Sequence, residues 1–382
     1  MNLSLSMISV SSKYFVSPFV CGTRLVTMKS CNFLKVTNSI GWVINSCFYQ
    51  CNFRQILNRA IVIGSNNYNQ LYLSRSVLSS SSDNVFNDCI FANCTSSARG
   101  GAVYVEFSTA IVNFTQCGFI SCYSSKGNDY SSGGLSAING ICISLKKTCF
   151  FLCANINDPP SFQISAHSGV KGAILEYVSE LNAGDPTRAS CFGSMCGGSE
   201  IFVFAYNNIT DSKSNGGRLG GITMTKCTQS SILQEFCTIS LCTGNGFISF
   251  FNQDSGTKYL KNCNYLNNTP SNHWITFESA STKPSFENCV FIGNKDLVIC
   301  PNTNLVFSNC YFSSDLQSSN RRGTFNGINV FEADFNNLNF IIHMKTYYCW
   351  ARGSSLNLPT QIQRYYRLTI SILATVLITI LS

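Results

Sequence analysis

Residues 86–94 read Phe-Asn-Asp-Cys-Ile-Phe-Ala-Asn-Cys, and residues 114–122 read Phe-Thr-Gln-Cys-Gly-Phe-Ile-Ser-Cys. Phe86, Cys89, Phe91 and Cys94 thus recur as Phe114, Cys117, Phe119 and Cys122, with Gly100-Gly101-Ala102-Val103 between the copies. Within each copy Cys and Phe alternate with other residues (Cys89, Phe91; Cys117, Phe119). That period of two is the signature of a short strand with one buried face.

The same unit, an apolar or aromatic residue, then Cys three later and an aromatic two after that, appears at Met28, Cys31, Phe33; at Leu260, Cys263, Tyr265; at Phe286, Cys289, Phe291; and at Phe307, Cys310, Phe312. Cys47-Phe48-Tyr49-Gln50-Cys51 and Cys149-Phe150-Phe151-Leu152-Cys153 read as compressed versions of it, and between 187 and 260 the pieces persist while their spacing drifts. Before the C-terminal tail no segment sustains helical periodicity. A repeat of two to three dozen residues holding two or three short strands fits one coil of a β-solenoid, whose coils stack at about 4.8 Å. The chain is therefore expected to be all-β, a right-handed parallel β-helix over 1–350, followed by a juxtamembrane linker (351–364) and a hydrophobic membrane-anchor helix (365–382). Stacking places Phe on Phe and Cys on Cys inside the coils, with small Cys at the tight inward corners. Gly-Gly is expected to supply the positive φ of sharp bends. Asn267, Asn268 and Asn294 are expected at inward or bend positions, bonding the neighbouring coil as stacked amides do.

Gly100-Gly101-Ala102-Val103, taken with Phe291-Ile292-Gly293-Asn294, resembles the GGA-[ILV] and FxxN repeats of polymorphic outer-membrane proteins and of related right-handed β-helix surface proteins expanded in parasitic protists. The resemblance covers roughly residues 28–315. The chain departs from that pattern by placing Cys where the family has Asn, as in Phe91-Ala92-Asn93-Cys94 and Phe119-Ile120-Ser121-Cys122. What the resemblance implies is a surface or adhesin-like protein, not a known reaction.

Composition narrows the function classes. Charged residues are 12% of the 382, against about 25% in ordinary soluble domains. The net charge of +8 comes from 26 basic and 18 acidic residues, but the basic ones are scattered, without the clustered footprint of a nucleic-acid partner. Twenty-one cysteines favour an extracellular or lumenal site, and their odd number leaves at least one thiol unpaired in an oxidised monomer. The first twenty residues lack a basic n-region and a continuous apolar h-region. With the repeat already in weaker form near the start, either another route of entry or further upstream sequence is expected.

The tail from Leu368 to Leu381 is uncharged and apolar. Fourteen helical residues span about 21 Å, short of a bilayer's roughly 30 Å of hydrocarbon, but counting from Tyr365 to Ser382 with Arg367 snorkelling gives a short anchor. Gly353-Ser354-Ser355 with the polar stretch 356–367 also fits a GPI-attachment signal. A third reading packs the run against the solenoid. The cysteines and sequons place the body outside the cell. Arg364 and Arg367 argue weakly for the opposite, a cytosolic tail-anchored body.

Glycosylation candidates are Asn93, Asn113, Asn208 and Asn267, each in an Asn-x-Ser/Thr sequon, plus Asn2. The cysteine spacings lack the Cys-x2-Cys pairs and nearby His of zinc sites. They are read as architectural, either reduced or disulfide-bonded between coils. A β-helix polysaccharide lyase or hydrolase needs clustered carboxylates. Glu332 with Asp334 and Glu176 with Glu180 are the close pairs, and solvated side chains are expected at each. His167, His273 and His343 stand apart from one another. Gly244-Asn245-Gly246 lacks a phosphate loop's remaining features, and Arg321-Arg322 reads as a solvated loop.

These observations lead to a membrane-anchored cell-surface β-helix for adhesion, meeting host or environmental proteins or glycans through its outer faces and the segments near 123–134 and 154–188. No catalysis and no cofactor is expected. The alternatives are a pectate-lyase-like carbohydrate-active enzyme and a purely structural surface spacer.

Overall fold

A computed structural model of the chain describes residues 2–327 except for connecting segments, of which those of five residues or more are 12–19, 64–81, 126–130, 185–193, 214–220, 295–304 and 313–323. Residues 328–382, with the linker and anchor boundaries, lie outside the described residues.

The described residues form a parallel β-solenoid. Its strands assort into three long sheets, A with thirteen strands, B with twelve and C with ten, and two short ones of three and two strands. The chain visits A, B and C in turn and then begins the next coil, so each strand pairs with its equivalent one coil away. Ser82–Asn87 pairs in parallel with Ala110–Thr115, aligning Phe86 with Phe114. In sheet B, Ile90–Ala92 pairs with Gly118–Ile120, aligning Phe91 with Phe119. In sheet C, Val103–Val105 pairs with Leu135–Ala137. The repeat read from the sequence is the register of the fold.

Sheets A and B join at a bend made by one residue in the left-handed region, and a second such residue follows sheet B five positions on. Asp88 (φ 52°) and Asn93 (φ 53°) bracket one B strand, and Gln116 (φ 55°) and Ser121 (φ 49°) the next. The expectation that Gly-Gly makes these bends is corrected here. Asn, Asp, Gln, Ser and Lys occupy most of the bend positions, some of them short polar side chains that tolerate this conformation. Gly100 does adopt φ 72°, but Gly101 is required by contact instead. A Cβ on it would stand 2.0 Å from Gly133 O in the coil above.

The residue after each bend points inward as a corner, and two positions later an aromatic or aliphatic side chain fills the interior. The result is a pair of ring columns. Phe48, Phe86 and Phe114 stack with centroids 4.8 and 4.6 Å apart. Phe33, Phe53, Phe91, Phe119 and Phe150 stack at 5.3, 4.9, 4.8 and 4.7 Å. Tyr265, Phe291 and Phe312 resume the second column at 5.1 and 4.8 Å. Burying each such ring contributes about 1.5–3 kcal/mol, and offset ring pairs add about 0.5–1.5 kcal/mol.

Two sequence readings shift phase. The unit at 47–51 is Phe48, Cys51, Phe53, with Phe48, Cys51 and Phe53 in the core and Cys47 half-buried on the outside. The unit at 149–153 is Leu145, Thr148, Phe150, Cys153. Cys149 is consequently an outward residue of sheet B and is disulfide-bonded, while sixteen other described cysteines are free thiols. The stretch 154–188, expected above to make contacts beside the outer faces, contains the strands Phe162–Ile164, Val170–Glu176 and Ser179–Leu181 and belongs to the regular coils.

Candidate functional site: corner columns, a buried carboxylate and the outer faces

The corners form two columns inside the solenoid. The first contains Cys31, Cys51, Cys89, Cys117, Thr148, Val178, Asn207, Cys237, Cys263, Cys289 and Cys310. The second contains Val36, Ile56, Cys94, Cys122, Cys153, Ala183, Ser212, Cys242, Asn268 and Asn294. All are buried. A corner thiol donates to the carbonyl of the residue three positions before the preceding corner, as Cys89 does to Phe48 O at 3.5 Å and Cys117 to Phe86 O at 3.3 Å. It makes a second contact to the carbonyl two residues upstream in its own coil, Asn87 O for Cys89 at 3.4 Å.

Where the corner is Asn, the amide takes the same carbonyl. Asn207 donates to Leu175 O at 2.9 Å, Asn268 to Ile239 O at 2.9 Å and Asn294 to Tyr265 O at 2.8 Å. Asn also accepts the backbone N–H of the preceding corner, as in Cys242 N to Asn268 Oδ1 at 2.9 Å. Cysteine and asparagine are therefore alternative solutions to one problem, a small inward group that satisfies a buried carbonyl. The stacked amides expected at Asn268 and Asn294 are present. Asn267 takes the other expected placement, a bend, where it is exposed with φ 52°.

Burial sets the chemistry of these thiols. Desolvation pushes Cys89, Cys94, Cys153, Cys237 and Cys289 well above the ordinary thiol range, and Cys242 to about 12. Since the thiolate is the reactive form, these positions are inert at neutral pH. Among the described residues no group of three or more His, Cys, Asp or Glu is arranged to hold a metal ion.

Glu180 overturns the expectation of a solvated carboxylate. It occupies the aromatic column, aligned with Phe150 below and Ile209 above, and is 1% exposed. Its oxygens accept from Ser194 Oγ and, at 3.0 Å, from Ser212 Oγ. Desolvation raises its pKa to about 7, against the lowering effect of hydroxyls from Ser194, Ser212 and Ser161. Glu176, four residues earlier, faces outward, so the two carboxylates cannot converge. A buried cation also occurs, Lys258, whose Nζ donates to Cys227 O at 3.0 Å and Ser230 O at 2.7 Å.

Four outer carboxylates each meet a lysine. Lys146 meets Glu176 at 2.9 Å and Lys261 meets Glu287 at 3.0 Å, each pair opposite one another on adjacent strands of sheet A. Lys171–Glu200 and Asp211–Lys213 stand at 3.1 Å. At the A–B bends of three successive coils the bend residue is aromatic, and Tyr177, Tyr206 and Phe236 stack at 4.8 and 5.0 Å along the outside.

Of the sequons, Asn93 and Asn267 are exposed bend residues and Asn113 is half-buried on the outside of sheet A. Asn208 is buried, and its Oδ1 accepts from Thr210 Oγ1 at 2.7 Å within the sequon itself. His167, His273, His343, Glu332, Asp334, Arg321-Arg322 and Asn245-Gly246 lie outside the described residues. Glu180 and the coils through Leu145, Leu175, Phe204 and Gln234 were missed by a cysteine-based reading. Their signal was the same spacing with Thr148, Val178, Asn207 or an altered flank at the corner.

No protein-family description, no curated protein and no solved structure matches this chain.

Proposed function

We propose that the chain is a non-catalytic, membrane-anchored β-helix of the cell surface, with its body outside the cell and its outer faces engaged in adhesion to host or environmental proteins or glycans. The observation that carries this reading is the dispersal of its carboxylates. Lys146, Lys171, Lys213 and Lys261 each hold one outer acid, Glu180 is sealed in the core, and the three acids that share one outer column of sheet A, Glu176, Glu235 and Glu287, are interrupted by Ala205 and Lys261. A β-helix lyase or glycosidase works through clustered carboxylates. The solenoid instead presents long, uniform faces of the kind repeat proteins use for extended contacts.

The resemblance of Gly100–Val103 and Phe291–Asn294 to surface-protein repeats supports the same reading, as does the apolar tail at 368–381. The membrane is reached through residues 365–382, and Asn93, Asn113 and Asn267 are the sequons with access to a glycan. Antibody labelling of intact cells is the test. Labelling of the solenoid without permeabilisation is expected, and labelling only after permeabilisation contradicts the proposal. Release of unsaturated or reducing sugars from acidic polysaccharides by the purified chain would favour the enzymatic alternative.

A further inference from the structure

The outer face of sheet A carries a charge pattern that complements its own reverse. Six consecutive strands of that sheet are Gly140–Lys146, Val170–Glu176, Ile201–Ala205, Ile232–Glu235, Gly256–Lys261 and Thr282–Glu287. Their last outward residues form a column that reads Lys146, Glu176, Ala205, Glu235, Lys261, Glu287. Set against itself upside down, the column brings Lys146 to Glu287, Glu176 to Lys261 and Ala205 to Glu235.

The outward column beside it has the same property in its polarity. It runs Ser144, Ile174, Val203 on the first three of these strands, then Ile232, Tyr259 and Ser285, with an irregularity in register after Ile232. Reversal sets Ser144 against Ser285, Ile174 against Tyr259 and Val203 against Ile232. These apolar residues are on the outside, since Leu175, Phe204 and Leu260 of the same strands fill the core. Ile232 is 38% exposed, and Ile201 at the start of its strand is 51% exposed. Exposed aliphatic side chains on a sheet face, margined by charges, have the apolar centre and polar rim of a protein interface.

The charges specify the occupant. A partner of one sign would be repelled by part of the column, whereas a surface bearing the reversed order meets each lysine with a carboxylate. This chain carries that surface itself.

We propose that two copies of the chain pair through the outer faces of sheet A, with their solenoid axes antiparallel. The two-fold axis lies along the strands, midway between those of Ala205 and Glu235, so that each column faces its own reverse. Lys146 already holds Glu176 at 2.9 Å and Lys261 holds Glu287 at 3.0 Å within one chain. Facing pairs therefore close four side chains into a ring of alternating sign, and the symmetry makes two such rings. Between the rings, small Ala205 leaves room for Glu235 of the second copy, while Ile174, Val203, Ile232 and Tyr259 bury one another. Six coils cover about 24 Å of the axis, a contact suited to a reversible dimer. The pairing does not rest on the adhesive reading above, and it leaves the outside of sheet B to the contacts proposed there.

Sedimentation of the purified full chain over a concentration series is the test, with circular dichroism to show that each variant is folded. The unchanged chain is expected to pass reversibly from monomer to dimer. Glu287→Lys sets a lysine against Lys146 of the second copy, and Lys146→Glu sets a carboxylate against its Glu287; each should weaken pairing by about tenfold or more. Reversing all four charges, Lys146→Glu with Glu176→Lys, Lys261→Glu and Glu287→Lys, restores every pair within and between chains. That variant should dimerise with itself and fail to mix with the unchanged chain. An unchanged chain that stays monomeric overturns the proposal. So does a dimer that both single variants leave intact, a folded four-charge variant that stays monomeric, or free mixing of the two forms.

Discussion

Cys122 donates its thiol hydrogen to the carbonyl of Phe91 one coil away, at 3.4 Å. Asn294 in the same column gives its amide to the equivalent carbonyl, that of Tyr265, at 2.8 Å. The amide is the stronger donor, and it also accepts the preceding corner's N–H, as Asn294 does from Asn268 at 3.0 Å. Cysteine makes the weaker version of the same connection.

Substituting Cys242→Asn should therefore extend the amide column formed by Asn268 and Asn294. Cys242 now reaches Ile209 O at only 3.8 Å. A net gain of about 0.5–1.5 kcal/mol is expected, measured by chemical denaturation. Cys242→Leu, which overfills the corner, should lose about 1–3 kcal/mol. Equal losses for both would mean that the column does not accept amides at this position.

Removing a ring from the stack is expected to be severe. Phe119 is fully buried between Phe91 and Phe150, at 4.8 and 4.7 Å. Phe119→Ala should cost about 3–5 kcal/mol, against less than about 1.5 kcal/mol for Phe119→Leu if neighbouring side chains repack. Thermal unfolding of the two variants against the parent chain provides the comparison.

Gly101→Ala places a methyl where there is no room. Its Cβ would approach Gly133 O at 2.0 Å and Tyr123 O at 2.7 Å, both backbone atoms fixed by coil stacking. A loss of about 3 kcal/mol or more is expected. A variant with unchanged denaturation midpoint would show that these coils are not so closely apposed.

Glu180 makes stability fall as pH rises. Its folded pKa of about 7 lies above the ordinary glutamate value of 4.5, so the unfolded chain loses this proton first. The native state is fully favoured below about 4.5 and loses roughly 1.4 kcal/mol per pH unit up to about 7. The total is about 3 kcal/mol. The groups around the carboxyl are Ser161, Ser194, Ser212 and the thiols of Cys153, Cys196 and Cys242, and those thiols stay protonated over this range. Glu180→Gln should flatten the dependence between pH 4.5 and 7. A slope that survives the substitution has another source.

The sequence exposed the repeat where the corner was cysteine and the interior residue aromatic, as at Cys89 and Phe91, because both residue types are conspicuous. It hid the coils whose corners are Thr148, Val178 and Asn207, since steric demand at the corner is for smallness and not for sulfur. It misled at Cys47 and Cys149, where an adjacent cysteine faces outward and a one-residue change of phase reverses the face. The bends escaped notice because residues as different as Asp88, Lys147 and Tyr206 adopt φ of 51–58° when both flanking strands are held in register. Glu180 was unreadable as a core residue because only the three-dimensional gathering of Ser194 and Ser212 makes a buried carboxylate tolerable.

The most direct test of the corner columns is alkylation of the chain, denatured without reductant, followed by peptide mass spectrometry. The account predicts that Cys31, Cys51, Cys89, Cys94, Cys117, Cys122, Cys153, Cys237, Cys242, Cys263, Cys289 and Cys310 are all modified on denaturation and unreactive in the native chain, where half-buried Cys47 and Cys142 react first. Corner cysteines that require reductant before they can be alkylated, or that react in the native chain as fast as Cys47, would contradict it.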